Sequence, residues 1–112
     1  EADTKKIIQF FKLYNVNDVG IAFDTGNIYL ENSSIFSYFK SIRKYINHIH
    51  IKDRNIYGQN TNLGQGKINF KKFFYLLKQH KYNKTITLET YRKNNSIITS
   101  LKNLNYLDSI IL

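Results

Sequence analysis

Two imidazoles, a lysine, an aspartate and an arginine crowd into residues 47–54, NHIHIKDR, among the β-branched Ile46, Ile49 and Ile51. On a strand, residues two apart point to the same face, so His48 and His50 share one side. The run ends in charge. A buried strand that leads into polar residues delivers them to one edge of a sheet, where α/β folds keep their sites. The same pattern recurs twice: residues 19–23 are apolar and stop at Asp24, and residues 85–88 stop at Glu89. Glu1, just before a helix-like segment, stands where a further strand would end. One such terminus alone is equally well a solvated strand end. Four of them would bring three carboxylates and an imidazole, Glu1, Asp24, His50 and Glu89, to one edge. Hard oxygen donors with one imidazole suit Mn²⁺ or Mg²⁺, and Co²⁺ and Zn²⁺ are also acceptable.

The intervening segments supply the elements that would hold these ends. Residues 2–15 read as a helix, capped by Asp3 or Thr4, with Ile7, Phe10, Phe11 and Tyr14 in one apolar stripe. The strand at 19–24 carries apolar residues almost without alternation, which predicts burial on both faces and a parallel sheet with helices outside. Asp24-Thr25-Gly26-Asn27 reads as a tight turn, with Gly26 at a positive φ or a close backbone approach. There Asp24 and Asn27 would face one pocket as carboxylate and amide, or Asp24 would close an Asx-turn. Ser33 or Ser34 caps a second helix bearing Ile35, Tyr38, Phe39, Ile42 and Ile46. Residues 55–66 hold three glycines and no periodicity, a loop of the kind that covers a substrate. Within it, Gly64-Gln65-Gly66 could offer N–H groups to a phosphate, a plain turn being the commoner outcome. Asn69 caps a third helix with Phe70, Phe73, Phe74 and Leu77, and His80 ends it in a structural role. After the strand at 85–89, a fourth helix from about Asn95 presents Ile97, Leu101 and Leu104. Alternation of this kind implies parallel strands joined by right-handed crossovers.

Composition limits the alternatives. With 112 residues, 42% of them hydrophobic, residues 1–112 have material for one core and one domain. The sequence has no cysteine, so a thiolate site and a disulfide framework are unavailable, and a reducing compartment, the cytoplasm, is expected. No apolar run approaches the roughly 18 residues of a membrane span, and nothing resembles a signal peptide. The net charge of +9 comes from lysines scattered over helix polar faces, and Lys, Asn and Ile share A- and T-rich codons. That argues against a dedicated nucleic-acid surface. Because the chain begins with Glu and has no Met, a partial sequence is expected.

As a set, Phe23-Asp24-Thr25-Gly26-Asn27, His48-Ile49-His50-Ile51-Lys52-Asp53-Arg54, Leu63-Gly64-Gln65-Gly66 with Ile68-Asn69-Phe70, and Leu88-Glu89-Thr90 resemble the xylose-isomerase-like TIM barrels. Their order and spacing match over nearly the whole chain. The resemblance implies the C-terminal half of a (β/α)8 barrel, its sixth to eighth strands with the tip of the fifth. It also implies a divalent ion held by Glu1, Asp24, His50 and Glu89, with His48 in a packing role. Glu1 and Glu89 would be the proton-transfer pair, and Asn27, Lys52 and Arg54 would contact substrate. The expected reaction is isomerisation or epimerisation of a sugar or sugar phosphate, by removal of a proton beside a polarised carbonyl and formation of a cis-enediolate. A closed barrel of this type needs about 250 residues, so an N-terminal half is an expected partner. Homo-oligomerisation is left open. An endonuclease IV-like phosphodiesterase acting on abasic DNA would need additional metal ligands after the central strand. Residues 55–62 contain no histidine or aspartate to supply them. An inactive barrel fragment is the third alternative.

Overall fold

The computed structural model describes residues 4–14, 17–31, 33–92 and 95–111. Glu1, and with it the expected fourth ligand, lies outside them, as do Ala2, Asp3 and Asn15 at the ends of the expected first helix. The elements are α1 (Thr4–Tyr14), β1 (Ile21–Asp24), α2 (Thr25–Leu30), α3 (Ile35–Ile42), β2 (Ile46–Ile51), β3 (Asp53–Arg54), β4 (Asn60–Thr61), α4 (Phe70–Gln79), β5 (Thr85–Leu88) and α5 (Ser96–Ile110). A short 3-10 turn at Arg43–Tyr45 joins α3 to β2. The main sheet has the order β1-β2-β5, with both pairings parallel. Helices separate consecutive strands of this sheet, as expected for an α/β barrel arc. Among the described residues no helix is long and apolar enough to cross a membrane.

One face of the sheet is dry over β1 and β2, while Ile86 on the same face of β5 remains exposed. Phe23, Ile49 and Ile51 point into it and are almost fully buried against α3 and α4. Phe23 stacks on Phe73 with ring centroids 5.6 Å apart, and Phe39 meets both rings edge-on at 5.8 and 5.9 Å. This triangle ties β1, α3 and α4 together. Each ring contributes about 1.5–3 kcal/mol of burial, and each pair about 0.5–1.5 kcal/mol beyond that. The other face carries Ala22, Asp24, His48, His50 and Thr87, and it is open. Burial of β1 on both sides is therefore not observed: Ala22 is exposed, and Val19 lies outside the strand at 53% exposure. Helices cover only one side of the arc, so near-continuous apolar sequence does not translate into two buried faces.

Local signals fix the helix starts. The side chains of Ser34, Asn69 and Asn95 accept from the backbone N–H of the third residue on, at 3.4, 3.0 and 3.1 Å. The expected stripe of α1 is only half used. Ile7 and Phe11 pack, with Phe11 stacked on Tyr45 at 4.4 Å, whereas Phe10 and Tyr14 are exposed, α3 being the main neighbour of α1. The helix α5 turns the other way from expectation. Ile97, Leu101 and Leu104 are exposed, and Thr99, Asn103 and Leu107 are buried. The cause is polar: Asn103 Oδ1 accepts the Leu63 N–H at 2.7 Å, and its amide donates to Thr99 O at 2.8 Å. Residues 55–66 are also more ordered than a plain loop, since β3 and β4 pair antiparallel across them.

Candidate metal centre

Parallel register brings the strand ends level. Asp24 pairs with His50 across β1 and β2, and Ile51 pairs with Leu88 across β2 and β5. The Glu89 N–H donates to Ile51 O at 3.0 Å, which carries the last pairing one residue past the strand. Asp24, His50 and Glu89 consequently offer one ligand atom each within 4.8 Å of one another.

Each side chain is held. At Asp24, Oδ1 accepts the Asn27 N–H at 2.8 Å, capping α2. The expected tight turn is thus the first turn of a helix. Gly26 is needed there for close approach and not for a positive φ: a Cβ at this position would meet Lys52 Cγ at 2.8 Å. Glu89 divides its oxygens, Oε2 lying 2.8 Å from His50 Nδ1 and Oε1 lying 2.8 Å from Lys52 Nζ. The second oxygen of Asp24, Oδ2, lies 3.4 Å from the same ammonium. His48 sits below, with Nε2 2.9 Å from Thr87 Oγ1 and its ring edge-on to His50 at 4.8 Å.

Lys52 is the centre of this arrangement. Its backbone is clamped by Thr25, a turn residue to which the sequence alone assigns no role. The Lys52 N–H donates to Thr25 Oγ1 at 3.0 Å, and the Thr25 hydroxyl donates to Lys52 O at 2.7 Å. Burial opposes the charged form of Lys52, but the hydrogen bond to Glu89 and the charge of Asp24 outweigh it, leaving the pKa above the usual lysine value. The Lys52 hydrogen bond holds the Glu89 carboxyl below its ordinary range, partly opposed by desolvation and assisted by His50.

Arg54 and Asn27 form a separate link. The Arg54 guanidinium donates to Gly26 O at 3.0 Å, Gly58 O at 2.8 Å and Asn27 Oδ1 at 3.3 Å, joining the start of α2 to the β3–β4 hairpin. Asp53 was given no role by its sequence position. It is fully buried, and its carboxylate accepts the N–H groups of Arg54, Gly64, Gly66 and Ile68. Burial nevertheless leaves its pKa raised, the four backbone donors opposing the shift. The Gly64 and Gly66 amides are therefore spent inside the protein and do not form a phosphate cradle. Nothing in one sequence marks such a hub, because its partners are backbone groups.

The chain belongs to the xylose isomerase-like TIM barrel family, whose sequence model matches residues 2–109. No curated protein matches it by sequence. Solved structures share its fold. The apo 3-keto-D-glucoside 4-epimerase YcjR from E. coli superposes with a TM-score of 0.77 at 18% identity, over 95% of this chain and 39% of that one. An L-ribulose 3-epimerase gives 0.80 at 13% identity, over 96% and 41%. The IolI protein with a bound zinc atom gives 0.72 at 18% identity, over 96% and 42%. The chain thus spans about two fifths of each, and its three parallel strands are an arc of a barrel.

Proposed function

We propose that the chain is one domain's share of a metal-dependent sugar isomerase or epimerase, working within a full barrel whose remaining strands complete the substrate pocket. The observation that carries this is the convergence of Asp24, His50 and Glu89 from three strand ends. One imidazole and two carboxylates suit a hard or borderline divalent ion, Mn²⁺ or Mg²⁺ before Co²⁺ or Zn²⁺. The Lys52 ammonium between the two carboxylates supports a cation at this place, since it already stands in for one. Glu1, at the start of the sequence, is proposed as a fourth ligand. Similarity to sugar epimerases, and to a relative carrying zinc, supports the same class.

A bound divalent ion would supply Lewis acidity toward the oxygens of an open-chain sugar or sugar phosphate. The chain's own residues then divide the work. Glu89, kept ionised at neutral pH by Lys52 and His50, takes the proton from the carbon beside the carbonyl, and Glu1 is the second proton-transfer group. Lys52 presents its ammonium to a substrate oxygen. Arg54, committed to Gly26, Gly58 and Asn27, acts by positioning the Asn27 amide at the pocket wall. The test is solvent exchange: the full barrel, incubated with ketoses and ketose phosphates in D₂O and Mn²⁺, should place deuterium on the carbon next to the carbonyl. Absence of exchange with every sugar and ion tried, or nicking of abasic DNA, would reject the assignment.

A further inference from the structure

We infer that Lys52 is a built-in counter-cation that assembles the carboxylate ligands in the metal-free protein and must withdraw when a divalent ion binds. The inference rests on the metal-site proposal above and adds a role for a residue that is not a ligand. Lys52 Nζ contacts one oxygen of each carboxylate, Glu89 Oε1 at 2.8 Å and Asp24 Oδ2 at 3.4 Å. The other oxygens are taken by protein groups, Asp24 Oδ1 by the Asn27 N–H and Glu89 Oε2 by His50. The ammonium therefore occupies one oxygen of each carboxylate, at the place where the ligand atoms converge.

Its position is fixed from behind. Thr25 clamps both backbone groups of Lys52, and the side-chain stem runs over Gly26, where the missing Cβ leaves room for it. The side chain is only 11% exposed. A surface lysine would lose rotamer entropy to make such contacts, and here packing along the stem has already removed part of that freedom while leaving the terminal ammonium held only by the carboxylates. Without the ammonium, two carboxylates within 4.8 Å of each other would repel, and the metal-free site would spread.

Two consequences separate this role from ordinary packing. Removing the charge while keeping the stem, as in Lys52→Met, should lower the melting temperature of the metal-free protein. It should also tighten Mn²⁺ binding by about tenfold, equivalent to about 1.4 kcal/mol, because the ion no longer displaces a cation. Isothermal titration of Mn²⁺ into wild type and K52M, with melting curves in chelator, reads both. Equal or weaker Mn²⁺ binding by K52M, with wild type binding normally, overturns the counter-cation role and leaves the metal site standing. Binding by neither protein removes the metal-site proposal, and the counter-cation role falls with it. Should K52M fail to fold, the wild-type protein labelled with ¹³Cε-lysine gives the answer. Titration with diamagnetic Zn²⁺ should shift the Lys52 signal toward that of a solvated lysine, and an unmoved signal at saturation overturns the inference.

Discussion

Glu89 Oε2 lies 2.8 Å from His50 Nδ1 although 39 residues of sequence separate them. The contact exists because β2 and β5 are parallel neighbours and the Glu89 N–H extends their ladder by one residue. A pair placed in this way is a property of the sheet, and it tests whether the strand ends are level in solution.

The pH dependence of stability follows from the same glutamate. Its carboxyl is held below the ordinary 4.5, chiefly by the Lys52 hydrogen bond. A lowered folded pKa stabilises above the unfolded value and is lost as pH falls through the folded one. The melting temperature of wild type should therefore exceed that of Glu89→Gln at pH 7, and the gap should close as pH drops below about 4.5. Because the side chain is half-exposed, the gap corresponds to a surface-type pair of about 0.2–1 kcal/mol. A gap unchanged from pH 7 to pH 3 would contradict the pairing.

Asp53 organises the loop that follows β3. Asp53→Ala leaves four backbone donors without their carboxylate and should cost about 3 kcal/mol or more in urea unfolding. Gly66→Ala should act on the same hub, since a Cβ there would overlap the Asp53 carboxylate. Both variants should raise hydrogen exchange at Gly64 and Ile68 before the rest of the chain. Unchanged exchange in either would show that the hub does not hold the loop.

Arg54 makes a different prediction. Its fork spans Gly26 O, Gly58 O and Asn27 Oδ1, a geometry that lysine cannot reproduce. Arg54→Lys should lose about 1–3 kcal/mol of stability and free the hairpin tip, seen as faster exchange at Gly58 and Gln59. Full stability in the lysine variant would mean that charge alone suffices.

The strand-end pattern was legible because it is local. Asp24 and Glu89 each end a short strand-like run, His50 alternates with the isoleucines of β2, and parallel register does the rest. Helix caps were legible for the same reason, since Ser34, Asn69 and Asn95 each bond three residues ahead. The buried face of α5 was not, because its choice depends on Asn103 meeting Leu63, 40 residues away, and the stripe of Ile97, Leu101 and Leu104 gives no sign of that. Ala22 misled similarly: an apolar run implies two covered faces, but only one side of this arc carries helices. Thr25 and Asp53 were missed because their partners are backbone atoms, which have no signature in sequence.

The central claim is that Asp24, His50 and Glu89 share one divalent cation. Mn²⁺ binding, followed by electron paramagnetic resonance on wild type and on Asp24→Asn, His50→Gln and Glu89→Gln, tests it most directly. Wild type should bind one ion per chain, and each substitution should weaken binding by about tenfold or more with the circular dichroism spectrum unchanged. Wild-type protein that shows no saturable binding, or three variants that bind as tightly as wild type, would contradict it.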